Sequence, residues 1–360
     1  MKMPAILLAG VCGIAPAVCV QQVGAQAVGL SAITVNVAKP PFDGHYSLQG
    51  KPACDGAGNV YTRAYDAATT RDGKRFNQLP IHEVSPNGAP VRDFRVADDF
   101  PDGTAMGMSV GLDGGIYQAV MTNHYADIYV EKFAQDGSAK AKTRLEAGSR
   151  LHTADFTGSI FHVAVFKSGE YLLNGETGKG AQSPYLAVFG ADGHLVKEIY
   201  EPEDEEARQK AALGDADYAP DRVGNFFSSL GDVAAGSDGN AYVLRRTPRG
   251  SLTLVYVVSP AGEVVSKLRI DAGDSDLVAR SIRSYAGRIA VGFGSRTHMG
   301  PYRVKIVDLQ GNSVAEYSLG SNAVFVGDEG LDLACYGAEG LTLVPDRIES
   351  KAYMLRAKLP

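Results

Sequence analysis

From Ala53 to the C-terminus, short runs of alternating apolar and polar residues recur, and each pair of runs is joined by a glycine-bearing turn. The clearest copy is DVAAGSDGNAYVLR, Asp232 to Arg245, which reads as a strand, an Asp-Gly turn and a second strand. Related segments are ACDGAGNVYTR from Ala53, SVGLDGGIYQAV from Ser109, HVAVFKSGEYLL from His162, SYAGRIAVGF from Ser284 and LACYGAEGLTLV from Leu333. Their turn glycines, Gly58, Gly114, Gly169, Gly239, Gly287 and Gly340, recur at roughly fifty to seventy residues, the kind of period that marks a repeat architecture. A second hairpin follows each of the first five, beginning at Ile81, Tyr129, Tyr185, Tyr256 and Arg303. The pattern therefore predicts units of four antiparallel strands.

A four-stranded sheet cannot bury both faces alone, whereas sheets stacked radially about an axis bury both and leave only short edges. The expected fold is all-β, a six-bladed β-propeller forming one domain over residues 28–360. After Gly340 the last unit has room for only one more strand, from Lys351, so it is one strand short. Residues 31–38, SAITVNVA, have the β-branched, alternating character of a strand and are expected to complete that blade and close the ring. An open edge there would be an aggregation site. Two surplus stretches interrupt the repeats: 64–79 in the first unit, and 201–229 between the third and fourth. In the latter, Pro202 and early acids precede Arg208, Lys210 and Gly214, the order of a short helix.

The strand, Asp-Gly, Asn-x-Tyr-Val pattern resembles NHL-type propellers and their relatives, although the Asn-His-x-x-Ile segment of those repeats is absent. The resemblance implies an architecture that hosts many functions, and no residue role is carried over with it.

The N-terminus changes the picture of compartment. Lys2 is followed by an apolar run from Ala5 to Val20 and then by Ala25-Gln26-Ala27, a small-x-small pattern suited to signal peptidase. Residues 1–27 are expected to be a signal peptide cleaved after Ala27, with the mature protein secreted or periplasmic. No later apolar run has the roughly 20 residues a membrane span needs. The formal net charge of −6 argues against nucleic acid as a general partner.

Candidate chemistry is sparse. Gly107-Met108-Ser109-Val110-Gly111 matches a nucleophile-elbow pattern but sits in a strand rather than at a strand-to-helix turn, so it is discounted. No local His or Cys spacing indicates a metal, and no motif indicates a cofactor. Aligning the repeats on their turn glycines places Lys51, His162, Asp232 and Arg280, with Asp332 adjacent to the sixth equivalent, near the start of the inner strands that surround the channel. Propeller lactonases hold calcium in such a place, but Lys51 and Arg280 would oppose a divalent cation. Cys54 and Cys335, the cysteines remaining after cleavage, are expected to form a disulfide between the first and last blades.

The loops between second and third strands are longer and more varied than the hairpin turns, and they carry a basic rim: Arg71, Lys74 and Arg75, then His124 and Tyr125, then Lys179, then Arg245, Arg246 and Arg249, then Arg296 and His298. Binding loops on a rigid scaffold have this character, and guanidinium groups suit carboxylate or phosphate oxygens. The leading expectation is an exported binding propeller for a small molecule, glycan or protein, with an anionic partner. The alternative is a channel-based hydrolase or lyase of the propeller lactonase type.

Overall fold

The computed structural model describes residues 27–29, 35–36, 46–48, 50–66, 80–94, 104–122, 127–134, 136–146, 159–177, 183–199, 230–245, 252–295, 302–319, 331–345, 347–348 and 353–357. These form an all-β propeller with four-stranded antiparallel blades. Five sheets have four strands: those spanning 53–94, 104–144, 159–198 and 230–271, and one built from 331–337, 340–345, 353–357 and 35–36. The 277–319 sheet has the same four antiparallel strands plus Ala27–Gly29, which joins its outer strand in parallel.

Turn chemistry explains the regularity of the hairpins. In the first sheet the Asp55 carboxylate accepts the backbone N–H of Ala57 and of Asn59, each at 2.9 Å, and Gly58 takes φ 82°, a left-handed conformation that costs a glycine nothing. The other carboxylate oxygen accepts from the Asn59 amide at 2.8 Å and from the Tyr61 hydroxyl at 2.9 Å. The repeated Asp, Asn and Tyr are thus one network, in which the tyrosine of the second strand pins the turn that precedes it. Burial, and next the Asp55 charge, push the Tyr61 phenol well above its ordinary range, so it stays a donor.

Middle strands are apolar on both faces because neighbouring blades cover both: Ile116–Thr122 and Ala241–Arg245 are buried throughout, whereas the outer strand Val264–Asp271 is mostly exposed. Each hydrophobic cluster is shared by two consecutive sheets. Tyr117, Met121 and Val130 pack with Val165, Leu173 and Tyr185, and Leu244 and Val255 pack with Ile282, Val291 and Phe293. One cluster joins the ends of the chain: Val60 and Cys54 of the 53–94 sheet lie against Ala334, Cys335, Val344 and Met354. Arg356 crosses the same junction to donate to the Pro86 carbonyl at 3.0 Å. Close approach between blades is tightest at Gly193, whose φ of 90° and proximity to the Arg144 carbonyl leave no space for a Cβ.

Within 31–38, only Val35–Asn36 is described, paired antiparallel with the strand Tyr353–Ala357; the rest of that stretch lies outside the described residues. A three-stranded sheet of Tyr46–Leu48, Ala64–Asp66 and Arg347–Ile348 was not expected, since its pieces sit in what read as loops and are too short to show a period. The helix expected within 201–229 and most of the 64–79 loop lie outside the described residues.

Candidate functional site

The innermost strands pack against one another around the axis, and Leu331–Gly337 lies beside Ala53–Cys54. Between them lies a cavity of about 530 Å3, lined by Lys51, Cys54, Ser109, Asp232, Arg283 and Ser284 among others. Gly56, Gly111, Leu112, Ser237 and Ala286 also line it, so it reaches the end of the channel where the first hairpins turn. A groove of about 720 Å3 between the first two blades shares Asp55, Gly56 and Gly114 with it. That groove's charges are largely paired: Arg92 with Glu83 at 2.8 Å and Lys132 with Asp113 at 2.6 Å.

Arg283 organises the cavity wall. Its guanidinium donates to the Asp232 carboxylate, to the carbonyls of Ile282 and Pro52, and to the Ala334 carbonyl at 2.8 Å, linking inner strands of four blades. Asp232 also accepts the backbone N–H of Ile282 at 3.1 Å and of Val233 at 2.9 Å, and His162 Nδ1 lies 3.6 Å from it. Burial alone would raise the Asp232 carboxyl, but Arg283, then His162 and Lys51, hold it below the usual carboxylate range. Lys51 reaches across to Asp332 at 2.6 Å. The wall is therefore charged yet internally neutralised. Ser109 also lines the cavity, but its hydroxyl oxygen has no surface open to it and no hydrogen-bond partner among the described residues.

Of the expected channel residues, Lys51 is paired with Asp332 and His162 lies beside Asp232. Arg280 is not among the residues lining the cavity; it donates to the Ser295 carbonyl at 2.8 Å within its own sheet. The residue missed was Arg283. In the 53–94 and 230–271 sheets three residues separate the closing pair, as in Gly236 to Asn240, whereas Tyr285 pairs with Arg288 across a two-residue turn. Counting back from Gly287 thus slips the register by one, which moves every side chain to the other face. Correcting for turn length moves the count only from Arg280 to Ser281, two residues short of Arg283 on the same face of the strand.

Arg245 is also corrected. It is the last residue of a strand still sandwiched between blades, 1% exposed, and it donates to the Tyr256 hydroxyl at 3.1 Å. Burial lowers its pKa, and it is not presented to any ligand. Arg71, Lys74, Arg75, His124, Tyr125, Lys179, Arg246, Arg249, Arg296 and His298 lie outside the described residues. Cys54 and Cys335 meet as expected, but as free thiols rather than a disulfide. No group of three or more His, Cys, Asp or Glu suited to a metal occurs among the described residues.

No family model matches the chain, and no curated protein does. Among solved structures it is similar to a Hadza microbial sialidase, with 13% identity and a TM-score of 0.51, covering 87% of this chain and 66% of that one, just under two thirds of its length. It is also similar to a protein of unknown function from Bacteroides caccae, with 11% identity and a TM-score of 0.44 over 77% of this chain and 94% of that one. A protein of unknown function from Dyadobacter fermentans is 11% identical with a TM-score of 0.49, over 92% of this chain and all of that one, 100%. At these identities the likeness is one of fold alone.

Proposed function

We propose that this protein is an exported, NHL-like propeller of six blades that binds a small polar ligand in its axial cavity, at the end where the hairpins turn. The count of six rests on the six repeated hairpins and on the cluster that packs the last sheet against the first. Export rests on the leader-like first 27 residues. The observation that carries the binding reading is the cavity itself, which reaches the hairpin-turn end and is lined by polar and charged side chains of several blades.

The ligand's character follows from the wall. Lys51 and Arg283 already have carboxylate partners, so a polyanion gains little there that Asp332 and Asp232 do not already supply. Hydroxyl-rich molecules such as sugars suit Ser237 and Ser284 better, and an acidic sugar would add one contact to Lys51, whose side chain is 19% exposed. The basic rim on the opposite loops remains a second docking place for an anionic group, with Arg246 and Arg296 as its centre and without Arg245.

Native mass spectrometry of the protein purified from its exporting host identifies what it carries. Ser109→Tyr fills the cavity with a ring and is expected to weaken binding of that molecule by at least tenfold, while Ser109→Ala, which removes a hydroxyl that does not open on the cavity, is expected to leave it unchanged. Binding unchanged in Ser109→Tyr, with the fold intact by circular dichroism, would overturn the reading.

A further inference from the structure

Two thiols meet where the first and last blades join, and they are not equivalent. Cys54 lines the axial cavity and is partly exposed, whereas Cys335 is 5% exposed and packed among Val60, Ala334, Val344 and Met354 behind it. The Cys335 thiol donates to the Cys54 sulfur, and the Arg283 guanidinium lies close enough to both to favour a thiolate. From this geometry we infer that Cys54 and Cys335 form a thiol–disulfide exchange site for small disulfides entering the cavity, with Cys54 attacking and Cys335 resolving.

The asymmetry is what a stepwise exchange needs. The Cys54 thiolate attacks one sulfur of a disulfide RSSR; a Cys54–S–SR bond forms, the substrate S–S bond breaks, and the first RS− leaves and takes up a proton. Cys335 then loses its proton and attacks the Cys54 sulfur, forming the Cys54–Cys335 bond and expelling the second RS−, which is protonated in turn. Two protein thiols are oxidised and one disulfide is reduced to two thiols. The electronic poise agrees: the hydrogen bond from Cys335, and beyond it the Arg283 charge, outweigh burial and lower the Cys54 thiol, while burial pushes Cys335 up. The site shares its cavity with the ligand-binding reading through Cys54, whereas Cys335 lies outside it.

The test treats reduced, folded full-length protein with hydroxyethyl disulfide and reads each cysteine by site-resolved mass spectrometry. Wild type is expected to lose two hydrogens as a Cys54–Cys335 bond forms. Cys335→Ser is expected to trap a mixed disulfide on Cys54, at a rate whose pH profile has its midpoint below the roughly 8.5 of a free thiol. Cys54→Ser is expected to leave Cys335 unmodified in the folded state, although urea makes it reactive. A mixed disulfide appearing first on Cys335, or a native Cys54 no faster than free cysteine in the Cys335→Ser protein, would overturn the assignment. Ligand binding retained in Cys335→Ser separates a failure of this proposal from a failure of the binding reading.

Discussion

Asp232→Ala is expected to destabilise the protein by about 3–5 kcal/mol in urea unfolding, because it leaves the Arg283 guanidinium largely buried without its counter-charge. The side chains of Asp232 and Arg283 are only 5% and 12% exposed, so solvent cannot replace the lost carboxylate. Two backbone donors, Ile282 N–H and Val233 N–H, lose their side-chain acceptor in the same step. The effect should be spread over the ring, since Arg283 ties together inner strands on four sheets. A loss below about 1 kcal/mol would mean that the carbonyls of Pro52, Ile282 and Ala334 satisfy Arg283 alone. The pH dependence has a defined sign. The folded Asp232 carboxyl is held below its unfolded value, near 3.9, so its contribution is complete above that pH and is lost as pH falls through the folded value. Asp232→Asn should lack that part of the acid-side decline.

A comparable loss, again about 3–5 kcal/mol, is expected for Glu131→Ala between the first two blades. Arg63 there is fully buried, 0% exposed, and reaches the Gln118 carbonyl oxygen and the Met106 backbone carbonyl at 3.1 Å. Gln118 passes the charge on by donating to Glu131 at 2.9 Å. Burial pushes the Arg63 guanidinium down to about 10, against the opposing pull of Glu131. Removing Glu131 leaves that cation with dipoles alone. The joint replacement Arg63→Met with Glu131→Leu is expected to recover most of the loss, since neither charge is then buried. If the double variant unfolds as readily as Glu131→Ala, the shape of the site rather than its charge sets the cost, and the account of this interface fails.

The hairpins were legible in the sequence because their causes are local. Asp55, Gly58, Asn59 and Tyr61 lie within seven residues and build one network, and the same words recur along the chain. Pairing of distant blades was legible only where both partners carried a rare residue, as with Cys54 and Cys335, and even there the sequence could not state the bond. The cavity's key residues were less legible. Arg283 was missed because the two-residue turns of the fifth and sixth repeats, Tyr285 to Arg288 and Gly337 to Gly340, break the count that serves three-residue turns. Arg245 was misplaced because a strand end reads like a loop start until the next blade is seen to cover it. The unpartnered Ser109 hydroxyl has no sequence signal of any kind, since its isolation is a property of the assembled ring.

The measurement that most directly tests the central claim is a crystal structure of the protein with the molecule that co-purifies with it from its native host. The account predicts ligand density on the axis at the hairpin-turn end, between the inner strands that carry Lys51, Asp232 and Arg283. Density instead among the loops of the opposite face, around Arg246 and Arg296, with the axial cavity holding only water, would contradict it.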